Sequence, residues 1–159
     1  MRKFVLATLI VIQSVRLGAD EVQLSPNAPK DKQVAVHSTS DLERLHKAMA
    51  PYVAQARSSY PNAKERFLNG LPKGQHFFVT TRLRDRGGKE EQVFVAVNSI
   101  QSGLIEGTIF SPIQIVSGFR YKQRYSFSEA DLIDWLITYP DGSEEGNVVG
   151  RFLDTYDGR

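Results

Sequence analysis

Residues 77–97 read FFVTTRLRDRGGKEEQVFVAV. Two runs rich in β-branched and aromatic residues, FFVTTRL and EQVFVAV, flank RDRGGKE, whose adjacent Gly87 and Gly88 allow the positive φ that a tight reversal needs. The stretch predicts a β-hairpin. Upstream of it the pattern is helical. In STSDLERLHKAMA (38–50) Ser40 and Glu43 have capping-box spacing, and Leu42, Leu45 and Met49 recur at helical intervals. Pro51 is expected to interrupt or kink that run. PYVAQARSS (51–59) and PNAKERFLNG (61–70) read as further helical segments, with Pro61 suited to a first helical position and Gly70 to a C-terminal cap.

Downstream the chain stays extended. GLIEGTIF (103–110) predicts a third strand ending at Ser111 and Pro112, IQIV (113–116) a short edge piece, and FRYKQRYSF (119–127) a fourth strand. WLITYP (135–140) and NVVGRFL (147–153) read as strands on either side of PDGS, an Asp-Gly turn. Before WLITYP, Ser128 and Asp131 have the spacing of a helix N-terminal box, so a helix of about two turns is expected before Asp134. Helices first and then about five or six mostly antiparallel strands make the fold class α+β, with N-terminal helices packed on the sheet.

The chain has 159 residues, 41% hydrophobic and 24% charged, which suits one core rather than two. Its first residues read differently from that core. Arg2 and Lys3 precede the apolar run FVLATLIVI (4–12), and LGA (17–19) ends in a small residue, the pattern of a signal peptide over residues 1–19. Nine apolar residues fall far short of the roughly 20 that cross a bilayer. Residues 20–38, polar and carrying Pro26 and Pro29, read as a flexible leader, and residues 39–159 as the single domain. Periplasmic or secreted localisation follows as an expectation. Taking away Arg2, Lys3 and Arg16 leaves 17 of the 20 basic residues against 18 acidic, a net charge of −1. A near-neutral protein has no overall field to gather nucleic acid, so no nucleic-acid partner and no membrane span are expected after cleavage. With no cysteine, thiol and cysteine-zinc chemistry are excluded, and the fold must close without disulfides.

Few residues suggest catalysis. His37, His46 and His76 form no HExxH or comparable ligand pair, and no GxSxG, Walker or dinucleotide motif is present, so no metal and no cofactor are expected. The carboxylates around Trp135 are the exception: Asp131 or Asp134 with Glu129, Glu144 or Glu145 could form an acid–base pair of the kind that cleaves glycans. The same residues also suit a scaffold, Asp131 as a helix box and Asp134 as an acceptor of backbone N–H bonds where helix meets strand. Trp135, Ile137 and Tyr139 would share one strand face. A different surface comes from FRYKQRY. On a strand Arg120, Lys122 and Arg124 would line one side, a stripe that a protein partner or an anionic glycan could follow.

The segment from about Ala50 to Asp154 resembles the YegJ-like family, a bacterial domain of unknown function. The likeness is carried by ARSSYPNAKERFLNGL leading into GQHFFVTTRL, by the strand opening at Glu91, by IEGTIFSP with Gly107 and Pro112, and by LIDWLITYPDGSEEGNVVGRFLD. Gln123 departs from it, standing where the pattern has a glycine turn. The resemblance implies a small α+β domain, in some members exported, and no catalytic residues to transfer. It marks Gly107, Pro112, Asp134, Trp135, Gly142, Gly146, Asn147 and Gly150 as motif positions of structural character. The expected function is a non-enzymatic binding or interaction module. The alternatives are a small cell-wall or glycan hydrolase and an inhibitor or immunity-type partner of a secreted toxin.

Overall fold

The computed structural model describes residues 39–157; the expected signal peptide, leader and His37 lie outside them. The described chain is α+β. One long helix, α1 (Thr39–Leu68), is followed by β1 (His76–Arg84), β2 (Glu90–Gln101), β3 (Leu104–Ile109), β4 (Arg124–Ser128), a single 3-10 turn (Glu129–Asp131), β5 (Asp134–Thr138), β6 (Glu144–Gly146) and α2 (Val148–Thr155). The six strands form one sheet in the order β4-β3-β2-β1-β5-β6, with every neighbouring pair antiparallel.

The hairpin of residues 77–97 forms the middle of this sheet. Phe78 pairs with Ala96 and Arg84 with Glu90, and Gly88 adopts φ +81° in the turn. β2 and β3 are joined by Ser102 and Gly103, both left-handed, the backbone of a tight hairpin loop. Alternation then sorts the sheet into two faces. Phe77, Val79, Leu83, Val93, Val95, Ile105, Ile109, Phe127, Trp135 and Ile137 pack with Ala56, Tyr60 and Ala63 of α1 in the main core, while Phe78, Phe94, Ala96 and Leu136 cluster with Phe110. A third cluster joins Leu45 and Met49 of α1 to Ile133 and to Val149 of α2.

Several local expectations are corrected. Pro51 and Pro61 both lie inside α1, which is one helix of 30 residues, and Ser40 lies within it rather than capping it. Each interior proline removes a backbone hydrogen bond and costs about 3 kcal/mol. The helix persists because Leu45, Met49, Ala56, Tyr60 and Ala63 form one buried stripe running past both prolines, which are themselves exposed. Gly70 does end the helix region, at φ +91° with its N–H bonded to the Phe67 carbonyl.

The helix expected after Ser128 is only the 3-10 turn. Ser128 Oγ caps it by accepting from the Ala130 N–H, but Leu132 and Ile133 are drawn into buried positions, where the Ile133 N–H bonds Thr80 O at 2.8 Å and the chain is already extended. NVVGRFL is not a strand: from Val148 it is α2. The PDGS turn forms as expected, with Gly142 at φ +88°, yet β6 lasts only three residues because Gly146 (φ +85°) and Asn147 (φ +53°) turn the backbone left-handed. Residues 113–116 form no strand either, and FRYKQRYSF is extended only from Arg124 onward.

Candidate functional site

Asp134 and Trp135 open β5 and point to opposite sides of it. The indole, 4% exposed, enters the main core, where its Nε1 donates to Ala56 O (3.1 Å) and Ser59 Oγ (3.0 Å) of α1. It is a packed anchor with its one polar atom satisfied. The Asp134 carboxylate is 1% exposed. Its Oδ1 accepts from its neighbour's backbone, Trp135 N, at 2.8 Å, and its Oδ2 from Val149 N at 2.6 Å and Gly150 N at 3.4 Å. It therefore caps α2 from a strand 15 residues earlier, replacing the cap that Asn147, the local N-cap residue, does not supply from its own side chain. Burial pushes the Asp134 pKa upward, against the pull of those N–H donors.

The motif glycines explain themselves through contact. A side chain at Gly146 would strike Trp135 O at 2.2 Å, one at Gly150 would meet Asn147 Oδ1 at 2.0 Å, and one at Gly107 would meet Ala96 O at 2.3 Å. Asn147 is buried and bridges this corner, donating from Nδ2 to Glu144 Oε1 at 3.0 Å. Pro112 is exposed at the start of the loop after β3.

Of the further candidate carboxylates, Glu129 and Glu145 are each held by side chains of α1. Glu129 accepts from Lys64 Nζ (2.7 and 2.9 Å) and from Tyr60 OH (2.7 Å). Burial opposes its ionisation, but these hydrogen bonds outweigh it and hold its carboxyl below the usual range, while burial and the Glu129 charge raise the Tyr60 phenol. Glu145 accepts from Arg66 (2.7 Å) and Tyr139 OH (2.7 Å), and Arg66 holds its carboxyl low. Asp131 is exposed, and its backbone carbonyl accepts from Thr81 Oγ1 at 3.2 Å. These contacts fasten α1 at two places, to the turn after β4 and to β6.

The basic stripe takes a different form from a strand face. Arg120 and Lys122 belong to a turn in which Lys122 is left-handed at φ +62°, Gln123 N bonds Arg120 O (3.2 Å), and Gln123 Oε1 accepts from Arg120 N (3.1 Å). Of the three cations only Arg124 lies on β4. The reversal that a glycine would make is made here by Lys122, with the Gln123 side chain closing it. All three cations are exposed, and so is Tyr121, at 45%, with Lys122 Nζ 5.6 Å from its ring centre.

Sequence reasoning missed the residue that holds the loop leading into this turn. Glu91, buried in β2, accepts three consecutive backbone N–H groups: Gln114 (2.9 Å), Ile115 (2.8 Å) and Val116 (3.1 Å). Asp85, in the β1–β2 turn, adds Ser117 N at 3.1 Å and Ser117 Oγ at 3.2 Å, and the Ser117 N–H lowers its pKa. Two carboxylates thus hold the loop that leads into Arg120. The available signal was an acid opening a run of apolar strand residues. Elsewhere His46 lies 3.8 Å from Glu90, which also pairs with Arg82 (3.3 Å) and Arg84; burial, followed by the Arg82 charge, lowers the His46 pKa. Among the described residues no three His, Cys, Asp or Glu side chains are grouped to hold a metal ion, and no helix is long and apolar enough to cross a membrane.

No family model, no curated protein and no solved structure matches the chain.

Proposed function

We propose that this chain is an exported, YegJ-like binding module that engages an acidic partner, a protein or an anionic glycan, through the turn from Gly118 to Arg124. The observation that supports this reading is the division of labour among the charged residues. Glu91, Glu129, Asp134 and Glu145 are spent on holding backbone and helix, whereas Arg120, Lys122 and Arg124 are exposed in one turn with an exposed tyrosine, after a loop anchored by Glu91. A rigidly held, exposed turn of cations and an aromatic ring suits recognition, because little ordering is left to do on binding.

Replacing Arg120, Lys122 and Arg124 together by glutamine tests it, with immobilised heparin as the anionic glycan and salt elution as the readout. Lysine and glutamine bear the same penalty at a left-handed φ, so Tm should stay within a degree or so, and the variant should elute at clearly lower salt. Equal elution of variant and wild type would return the turn to ordinary solvated surface.

A further inference from the structure

The two edges of the sheet are finished differently. At one end β6 is three residues long and is cut off by Gly146, Asn147 and α2, the kind of short, interrupted edge that resists pairing. At the other end β4 is five residues long, without proline, and among the described residues it pairs only with β3. Its hydrogen bonds to β3 define which way its backbone faces. Ile109 N donates to Gln123 O and Glu129 N to Gly103 O, both at 2.9 Å, so residues 123 and 129 face β3. By antiparallel alternation Tyr125 and Phe127 do the same, so Arg124 and Ser126 direct their N–H and C=O groups outward, and Ser128, whose C=O opens the following 3-10 turn, directs its N–H outward. The side chains of those three residues are exposed.

We propose that this edge is a self-docking surface, on which β4 of a second copy pairs antiparallel about a two-fold axis at Ser126 and joins the two sheets. Charge selects this occupant. The edge is cationic at its start, where Arg120, Lys122 and Arg124 lie, and acidic at its end, where Asp131 is exposed. A two-fold antiparallel pairing sets each cationic start beside the acidic end of the other copy, which parallel pairing does not. The register also suits the backbone: Ser126 faces Ser126 and Arg124 faces Ser128, giving about four new ladder bonds between groups that already point outward. On the α1 side Tyr125 and Phe127, stacked at 5.6 Å within one copy, come opposite Phe127 and Tyr125 of the other, an aromatic cross-strand pair on each side of the axis.

Ser126 is the residue to change. In protein purified after expression of the complete sequence, sedimentation across a concentration series should show a monomer–dimer equilibrium that salt weakens. Ser126→Lys places two ammonium groups against each other at the axis while leaving an exposed strand position filled, so the dissociation constant should rise at least about tenfold with the Tm of the dilute monomer unchanged. Ser126→Pro, which removes an outward N–H, should give the same loss of dimer. A wild-type protein that stays monomeric throughout would overturn the proposal, as would a dimer indifferent to Ser126→Lys. A monomer that loses a foreign strand-forming partner on Ser126→Lys would equally overturn it, by assigning the edge to another chain.

Discussion

Asp134 and its neighbour Trp135 show how two adjacent side chains divide the work of one strand position. The indole fills the core under α1, and its truncation to alanine should cost about 3 to 5 kcal/mol, a large share of the 5 to 15 kcal/mol typical of a domain. Trp135→Ala is expected to unfold or aggregate. Asp134→Asn keeps the shape but turns an amide N–H2 toward backbone N–H donors at Trp135 or at Val149 and Gly150. The expected loss is about 1 to 3 kcal/mol. Thermal melts of both variants, read beside activity on glycan substrates, separate scaffold from catalyst: a stable Asp134→Asn protein that had lost turnover would identify Asp134 as a catalytic acid or base instead.

At the scale of elements, the loop after β3 illustrates a connection held by side chains rather than by strand pairing. Its Gln114, Ile115 and Val116 N–H groups all end on Glu91. Glu91→Gln replaces one acceptor oxygen by a donor, so a loss of about 1 to 3 kcal/mol is expected, with amide exchange accelerating at residues 114–117 before the rest of the sheet. Uniform protection in the variant would show that the loop is held by its apolar contacts, Ile113 and Val116 against the main core. α2 is built on the same logic. It has only eight residues and no side-chain cap from Asn147, and it depends on the carboxylate of another strand.

For the whole molecule, α1 acts as a brace across the sheet, joined to the turn after β4 through Lys64–Glu129 and to β6 through Arg66–Glu145. Both carboxyls are held below their ordinary value of 4.5. A depressed folded-state pKa adds stability that is present above the unfolded value and is lost as pH falls through the folded one. Glu129→Gln should therefore lower the unfolding free energy modestly at neutral pH, by less than about 1 kcal/mol because solvent screens the pair, and the gap to wild type should close on acidification below the ordinary carboxylate range. A gap that persisted in acid would assign the effect to packing of Tyr60 rather than to charge.

What could be read from the residues alone was what neighbours within a few positions decide. Alternating β-branched and aromatic residues around Gly87 and Gly88 define the central hairpin, Gly70 ends the helical region, and the Asp141–Gly142 pair turns the chain after β5; with the order of helical and extended patterns these establish the α+β class. The placement of Trp135 and Ile137 on one core face came from the same two-residue period. The long helix, α2 and the basic turn were not legible. α1 survives two prolines because its buried stripe packs on a sheet that comes later in the chain. NVVGRFL has apolar residues compatible with strand or helix, and Asp134, 15 residues earlier, decides for helix by capping it. The loop that leads into Arg120 and Lys122 is held by Glu91, 25 residues before the last amide it bonds. Local sequence specifies conformations whose hydrogen bonds close within a turn or a hairpin, whereas a buried carboxylate chooses its donors only after the sheet has brought distant backbone within reach.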